Sequence, residues 1–348
     1  MPAQRAVTLL ITNSIDYAAD LLVGRLGSDR VFRYNTDLWR DYALCFTGSG
    51  IEISDPTGRQ VDDATIAKVY RRNSMRASVL FPHTELSDLE RYAEEEVAAA
   101  WADLLNIFWA QGKIVLSQPL GTLRSGKLQQ LRIATKYFET TPYSFVLNRA
   151  DRLHPGRLSV CKSFNFKYAD GIGFYSAKVD EGRLDARQPW FLTDFVDATH
   201  DVTVAVIRDE LFAFELDRSV FIDQTIDWRQ SPVRHAHRGW QRVHLPPALR
   251  EGIFGFMAEV GAHYARIDFL RKDQRHTFLE ANFNGEWGWL DPDATEGLMA
   301  KIVHEIDPDT PCVSCPRPQW PVARPPAQAG SACGTPIGVK APVARSIR

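Results

Sequence analysis

Between residues 265 and 290 the chain sets three oxygen-bearing polar side chains inside two runs that are otherwise apolar, and few folds tolerate that. The first run, Ala265-Arg266-Ile267-Asp268-Phe269-Leu270, carries Asp268. After a short polar turn the second, Thr277-Phe278-Leu279-Glu280-Ala281-Asn282, carries Glu280 and Asn282. Both runs read as β-strands, and side chains two apart on a strand share a face, so Glu280 and Asn282 point together. Burying a charged trio is costly unless something cationic satisfies it. All three donors are hard oxygens, which suit Mg²⁺ far better than zinc. Magnesium that keeps open positions typically holds substrate phosphates, so the segment points to an enzyme that uses ATP.

At 348 residues the chain is long for one domain and sufficient for two or three. Its 45% hydrophobic and 24% charged residues are those of an ordinary soluble globular protein. A formal net charge of −2 offers no bulk attraction to nucleic acid or to an anionic membrane surface. No apolar run approaches the roughly 20 residues that span a bilayer. The start, Met1 to Arg5, leads straight into the strand-like Ala6–Ile11 without a signal-peptide cleavage region, so a cytoplasmic location is expected. Five cysteines are too few and too scattered for a disulfide framework. Cys45 and Cys161 lie in apolar runs and are expected in the core. Cys312 and Cys315 form a Cys-x-x-Cys pair, with His304 before it and Cys333 beyond, but no second tight pair completes a zinc site.

Residues 6–72 alternate apolar runs with polar turns around an amphipathic stretch, Ile15 to Leu26, which predicts a small α/β domain beginning β-α-β. Ile66 to Arg72 reads as a strand with two arginines at its end. A long helix is predicted from about Ser87 to Ala110, its apolar positions Leu89, Ala93, Val97, Ala100, Trp101, Leu104, Leu105 and Phe108 recurring at three and four. Glu94-Glu95-Glu96 within it reads as a solvated first half of the helix. A strand is expected at 113–117 and a helix from about Ser125. Strands follow at 143–148, 158–164, 172–178, 190–196, 202–207 and 211–216, then helices at 248–264 and from Thr295 to about Ile306. Residues 309–348, rich in Pro, Ala, Gly and Arg, read as a disordered tail.

Gly121-Thr122-Leu123-Arg124-Ser125-Gly126-Lys127-Leu128 nearly matches the P-loop pattern, but Leu128 stands where the metal-binding hydroxyl belongs. What survives is a lysine at a helix N-terminus, a suitable place for a phosphate. Lys162, in Leu158 to Phe164, falls on the sheet face shared with Val160 and Phe164, and a lysine there needs an anion. The turn at 191–197, Phe-Leu-Thr-Asp-Phe-Val-Asp, ends a strand with exposed backbone groups that can read an adenine edge and carboxylates that can bond a ribose. Asp227-Trp228-Arg229 puts a bidentate donor beside an aromatic ring, a fit for phosphate or carboxylate.

Taken in order, Lys127, Lys162, the 191–197 turn, Asp268 and Glu280-Ala281-Asn282 resemble the ATP-grasp superfamily. Within it the chain is most similar to the microviridin-type (graspetide) peptide ligases. That resemblance is carried by Arg33-Tyr34-Asn35-Thr36-Asp37, Val69-Tyr70-Arg71-Arg72, Gly126-Lys127-Leu128-Gln129-Gln130-Leu131, Asp227-Trp228-Arg229 and Glu280-Ala281-Asn282-Phe283-Asn284-Gly285-Glu286-Trp287-Gly288-Trp289. It spans about residues 6 to 307. The resemblance implies an α+β ATP-grasp fold with two lobes enclosing the nucleotide: an N-terminal α/β pre-grasp domain at 1–115, a central lobe at 116–190 and a C-terminal lobe with the magnesium site at 191–308. It implies that Lys127 and Lys162 hold the phosphates of ATP, that Asp194, Val196, Asp197 and Asp201 serve the rest of the nucleotide site, and that Asp268, Glu280 and Asn282 ligate Mg²⁺. Arg229, Lys162 and Asn284 are the implied catalytic groups, and Asp170-Gly171-Ile172-Gly173 the loop that shields the reaction.

Such ligases phosphorylate a side-chain carboxylate of a ribosomally made precursor peptide, giving ADP and an acyl phosphate. A hydroxyl or amine of the same peptide then closes an ω-ester or ω-amide ring. A precursor with a leader segment and a homodimer are therefore the expected partners. The same residues would serve a ligase that adds a free amino acid, or a peptide-binding homologue without turnover. One departure stands out: where relatives read Asp-Leu/Ile-Arg, this chain reads Asp201-Val202-Thr203. A missing phosphate contact of that kind is worth about 2–4 kcal/mol in a transition state.

Overall fold

A computed structural model describes residues 5–81, 85–119, 121, 123, 126–164, 168–169, 172–173, 176–220, 226–227 and 239–309. The chain opens with β1 (Val7–Thr12), α1 (Tyr17–Leu26) and β2 (Val31–Asn35). All six residues of β1 are buried, as a central strand covered on both faces requires. A 3-10 turn at Thr36–Asp41 leads to β3 (Ala43–Thr47), β4 (Gly50–Ser54) and β5 (Gln60–Asp62), an antiparallel meander. Then β6 (Ile66–Arg71) returns to pair parallel with β1, giving the order β2-β1-β6. α2 (Ala77–Leu80) and α3 (Asp88–Ala110) follow.

Helix α3 starts where the sequence predicts. Ser87 and Glu90 form a reciprocal capping box that satisfies two of the orphan amides of the first turn. Its inward stripe is narrower than expected: Trp101, Leu104, Leu105 and Phe108 pack on β1, β2 and β6, whereas Leu89 and Ala100 face outward. Glu94 corrects the reading of a solvated acidic run, because it is buried and accepts hydrogen bonds from the Ser78 amide at 3.1 Å and from the Ser78 hydroxyl. Cys45 is likewise not in the core. Strand β3 lies at the edge of the meander, where only β4 and β5 contribute buried residues (Ile51, Ile53 and Val61), and every residue of β3 is exposed. The strand expected at 113–117 reduces to one bridge, Ile114 beside Val69, because Leu116 adopts a φ of 60° and leaves the extended region.

The middle of the chain holds α4 (Lys127–Ala134), β7 (Glu139–Thr140), β8 (Tyr143–Val146), β9 (Leu158–Lys162), β10 (Tyr168–Ala169), β11 (Ile172–Gly173), β12 (Ala177–Asp180) and β13 (Trp190–Asp194). Four of these make an antiparallel sheet in the order β12-β9-β13-β8. The predicted strand 172–178 is thus two strands, and Cys161 is half-buried rather than core. Of the loop 170–173, Asp170 and Gly171 lie outside the described residues.

The last part comprises β14 (His200–Ile207), β15 (Glu210–Asp217), β16 (Gln241–Val243), α5 (Pro247–Val260), β17 (Tyr264–Lys272), β18 (Arg275–Asn282) and α6 (Leu298–Ile306). They form a six-stranded sheet ordered β16-β15-β14-β17-β18-β7, antiparallel except where β7 joins. α5 stops four residues before its predicted end because Gly261 caps it in the left-handed conformation, its amide bonded to Met257 O. On one sheet face Val204, Ile267, Phe269 and Phe278 pack against Phe256 and Met257 of α5. On the other, Ala205, Ile207, Phe212 and Tyr264 meet residues of α1 and α6. Among the described residues no helix is long and apolar enough to cross a membrane. Cys312, Cys315, Cys333 and the tail from residue 310 lie outside the described residues.

Candidate active site

The polar stretch of the large sheet is built by register. Thr203 of β14 faces Asp268 of β17, and Asp268 faces Glu280 of β18; Arg266 faces Asn282. A bulge after Asp268 shifts the pairing, so that Phe278 keeps to the core while Glu280 and Asn282 turn to the opposite face. Bulges re-aim side chains in this way beside many active sites. The predicted trio therefore converges. Asn282 Nδ2 lies 3.2 Å from Glu280 Oε1 and 3.4 Å from Asp268 Oδ2, so the three side-chain heads fit within one coordination sphere. An amide flip would offer its oxygen instead, giving two carboxylates and an amide as hard donors. These residues fit a divalent cation. Among the described residues no group of three or more His, Cys, Asp and Glu is arranged for one.

Cations ring these acids. Lys127, the first residue of α4, sits 3.3 Å from Glu280 Oε2 and donates to Ser163 O at 2.7 Å. Gln130, one turn along, accepts from the Ala281 amide at 2.6 Å and thereby pins α4 beside Glu280. Burial pushes the Glu280 carboxyl up, but Lys127 and Lys162 outweigh it and hold the group at about 2. Lys162, at the end of β9, is pulled below the usual lysine range by burial, with the Glu280, Asp268 and Asp227 charges opposing and Lys127 adding to the fall. Two ammonium groups compete for one carboxylate, which is the electrostatics of a site that takes a further anion.

One residue the sequence reading passed over, Arg266, belongs here together with Thr203. Arg266 donates to Asp268 Oδ2 at 3.1 Å and to Glu286 O at 3.2 Å, while its buried Nε has no hydrogen-bond partner. The signal was present, since Arg266 and Asp268 are two apart on one strand. Thr203 donates to Asp268 Oδ1 at 2.7 Å and fixes the carboxylate from the other side. A guanidinium thus reaches this acid from β17, across the carboxylate from Thr203 of β14.

Asp201, further along the same face of β14, pairs with Arg218 at 3.1 Å. Burial raises its carboxyl to about 7 despite Arg218, and the Asp268 and Asp227 charges add to the rise. Asp227, of the Asp227-Trp228-Arg229 motif, is buried. The folded state therefore holds a proton that the unfolded chain releases near pH 4, and stability falls as pH climbs from about 4 through 7. In Asp201→Asn this fall should shrink by roughly 2–4 kcal/mol. Melting curves of both proteins at about pH 5 and 8 in a chelator check it; equal pH slopes would contradict the assignment.

The segment after β18 is latched to β6. Glu286 accepts from Arg72 and from Asn73 Nδ2 at 3.1 Å, and its other oxygen from the amides of Trp287 at 3.1 Å and Gly288 at 2.8 Å. Trp287 is fully buried, and a Cβ on Gly288 would lie 2.9 Å from that of Ala18, so glycine is required there. Arg72 is no solvated strand end: it forms a buried pair with Asp16 at 2.9 Å. Asn284 is half-buried in the turn of this segment.

Not every predicted residue joins the cluster. Asp194 pairs with Arg157 at 2.5 Å and exposed Asp197 with Lys272 at 2.5 Å, while Val196 is half-buried between them in sequence. Near them Lys178 lies 3.9 Å from the centre of the Phe195 ring. Arg229 and Trp228 lie outside the described residues.

No family profile matches the sequence, and no curated protein matches it either. Solved structures do. A RiPP-associated ATP-grasp ligase of Chryseobacterium gregarium, in complex with ADP and a leader and core peptide, is 19% identical with a TM-score of 0.70, covering 88% of this chain and 98% of that one. The macrocyclase MdnC of Microcystis aeruginosa MRC, bound with precursor peptide MdnA, is 18% identical with a TM-score of 0.70, covering 86% and 99%. D-alanine–D-alanine ligase of Bacillus anthracis, complexed with ATP, is 10% identical with a TM-score of 0.50, covering 88% and 96%. The chain has the α+β ATP-grasp fold.

Proposed function

We propose that this chain is an ATP-dependent ligase that activates side-chain carboxylates of a ribosomally made precursor peptide and closes ω-ester or ω-amide rings, releasing ADP. The observation that carries the reading is the convergence of Lys127, Lys162, Asp268, Glu280 and Asn282 on one patch, in a fold shared with ligases bound to precursor peptides and to ADP or ATP. In this reading residues 1–115 are the pre-grasp domain, and 116–190 and 191–308 the two lobes around the nucleotide. The hinge residues Asp194, Val196 and Asp197 face adenine and ribose, and their surface ion pairs open to admit them. Magnesium on Asp268, Glu280 and Asn282 would supply charge neutralisation at the phosphoryl oxygens.

The chain's own residues then do the rest. Lys127 and Lys162 give up Glu280 as partner and hold the phosphates. Arg266, with Nε free, bonds an oxygen of the transferring phosphoryl group, taking the task of the arginine that Thr203 replaces. Thr203 keeps Asp268 in one rotamer. Asn284 and Arg229 contact the reacting peptide groups, Asp201 lies beside the nucleotide, and the enzyme works as a homodimer that grips the leader.

Co-expression with short acidic, Ser-, Thr- and Lys-rich peptides encoded beside the gene tests the reading. One peptide should lose one water per ring, with one ADP formed for each. Unchanged mass in every peptide, with no ADP formed, would refute it.

A further inference from the structure

Strand β6 ends at Arg71 and Arg72 follows it, and alternation sends the two arginines to opposite sides. Arg72 turns inward to Asp16 and Glu286. Arg71 turns to a cavity of about 340 Å³ whose apolar wall is made by Trp39, Val97, Trp101 and Leu105. That volume lies at the small end of ligand pockets, about 300–1,000 Å³. Arg71 Nε donates to Ser74 Oγ at 2.8 Å, and no carboxylate among the described residues lies within ion-pair distance of the guanidinium. Burial alone acts on its charge and lowers its proton affinity. The other basic group at the wall, Arg76, leans 3.7 Å from Glu95. The acid at the wall, Glu94, has its oxygens occupied by the Ser78 amide and hydroxyl.

A half-buried guanidinium without an anion, set among aromatic rings, calls for a ligand with one carboxylate and an apolar body. The anion of ATP does not suit it, because a triphosphate needs several donors and a metal, and those lie around Glu280. The cavity borders both segments that carry the ligation residues. Ser74 follows Asn73, which holds Glu286, and Pro119 and Gly121 of the rim precede the helix that starts at Lys127.

We infer that this cavity is a specificity pocket that seats one acidic side chain of the peptide substrate on Arg71, with a neighbouring apolar side chain against Trp39 and Trp101. The identity of the occupant rests on the peptide-ligase reading. The pocket would choose which acidic residue of a precursor is presented, separately from the groups that activate it.

The test uses two capped dipeptides, acetyl-Phe-Glu-amide and acetyl-Phe-Gln-amide, which differ in charge but hardly in shape. Binding to the full chain is followed by NMR titration. The Glu peptide should bind about tenfold or more tightly than the Gln peptide, and Arg71→Gln should reduce that preference to less than about twofold. Ala102→Phe, on the exposed side of α3 at the cavity wall, should abolish binding of both. Equal binding of the two peptides, no binding of either, or a preference that survives Arg71→Gln would overturn the pocket. Magnesium-dependent binding of an ATP analogue is measured in the same samples. It should be unchanged in Arg71→Gln, and its absence from the wild type would refute the ligase reading while leaving the dipeptide result to judge the pocket.

Discussion

Glu280→Gln is expected to lower peptide-dependent ADP release by about 10²–10³-fold and to abolish magnesium-dependent nucleotide binding, with the fold intact. The substitution keeps the shape of the side chain and the contact to Asn282, but removes the charge on which the patch is balanced. Lys127 and Lys162 together hold the Glu280 carboxyl at about 2 against the effect of burial, so it is ionised throughout the working range. Without it the metal set falls to one carboxylate and two neutral or weaker donors, and the lysines lose their shared counter-ion. Lys162, already pulled down by burial, then releases its proton more readily. Lys127→Ala should act in the same direction by removing the phosphate contact and leaving Glu280 less compensated. Near-normal turnover in either variant would contradict the site.

The largest stability effect is expected from Arg72→Met. The Arg72 and Asp16 side chains are 1% and 0% exposed, so removing the cation strands a carboxylate where water cannot reach it. Such half-broken buried pairs cost about 3–5 kcal/mol. Asp16 also caps α1 through Ala19 N and accepts from Thr12 Oγ1 at 2.5 Å, which keeps it from swinging out to solvent. Burial pushes its carboxyl up, but Arg72 more than offsets that and holds it low; in the variant this reverses. The double variant Arg72→Met with Asp16→Asn keeps a capping side chain and removes the stranded charge, so it should recover at least about 2 kcal/mol. Chemical unfolding of the three proteins decides. A loss under about 1 kcal/mol in Arg72→Met would contradict the stranding of a buried charge at Asp16.

The local parts of this molecule were legible in its sequence. Strand alternation alone put Glu280 and Asn282 on one face, and apolar positions recurring at three and four marked out α3. The same two-residue rule applied to Arg266 and Asp268, yet an arginine flanking an apolar run reads as a solvated end until register shows it beside Asn282. The long-range pairs were not readable at all. Arg72 meets Asp16 and Glu286 across 56 and 214 positions, and nothing in the periodicity of any one segment announces that. Two readings failed because composition stood in for topology. Cys45 lies in an apolar run that ends at a sheet edge, and Glu94 sits in an acidic run that happens to turn one member toward Ser78. The identity of the fold rests on shape, since the solved structures it matches share no more than about a fifth of its residues.

The most direct measurement is a thermal-shift titration of the full chain with a non-hydrolysable ATP analogue, with magnesium and with a chelator, alongside Glu280→Gln. A ligand that binds the native state raises the melting temperature by mass action. The wild type should show a shift that grows with nucleotide concentration and requires magnesium, and the variant should show none. No shift at millimolar nucleotide, or a shift of equal size in the chelator, would contradict the claim that Lys127, Lys162, Asp268, Glu280 and Asn282 form a magnesium–nucleotide site.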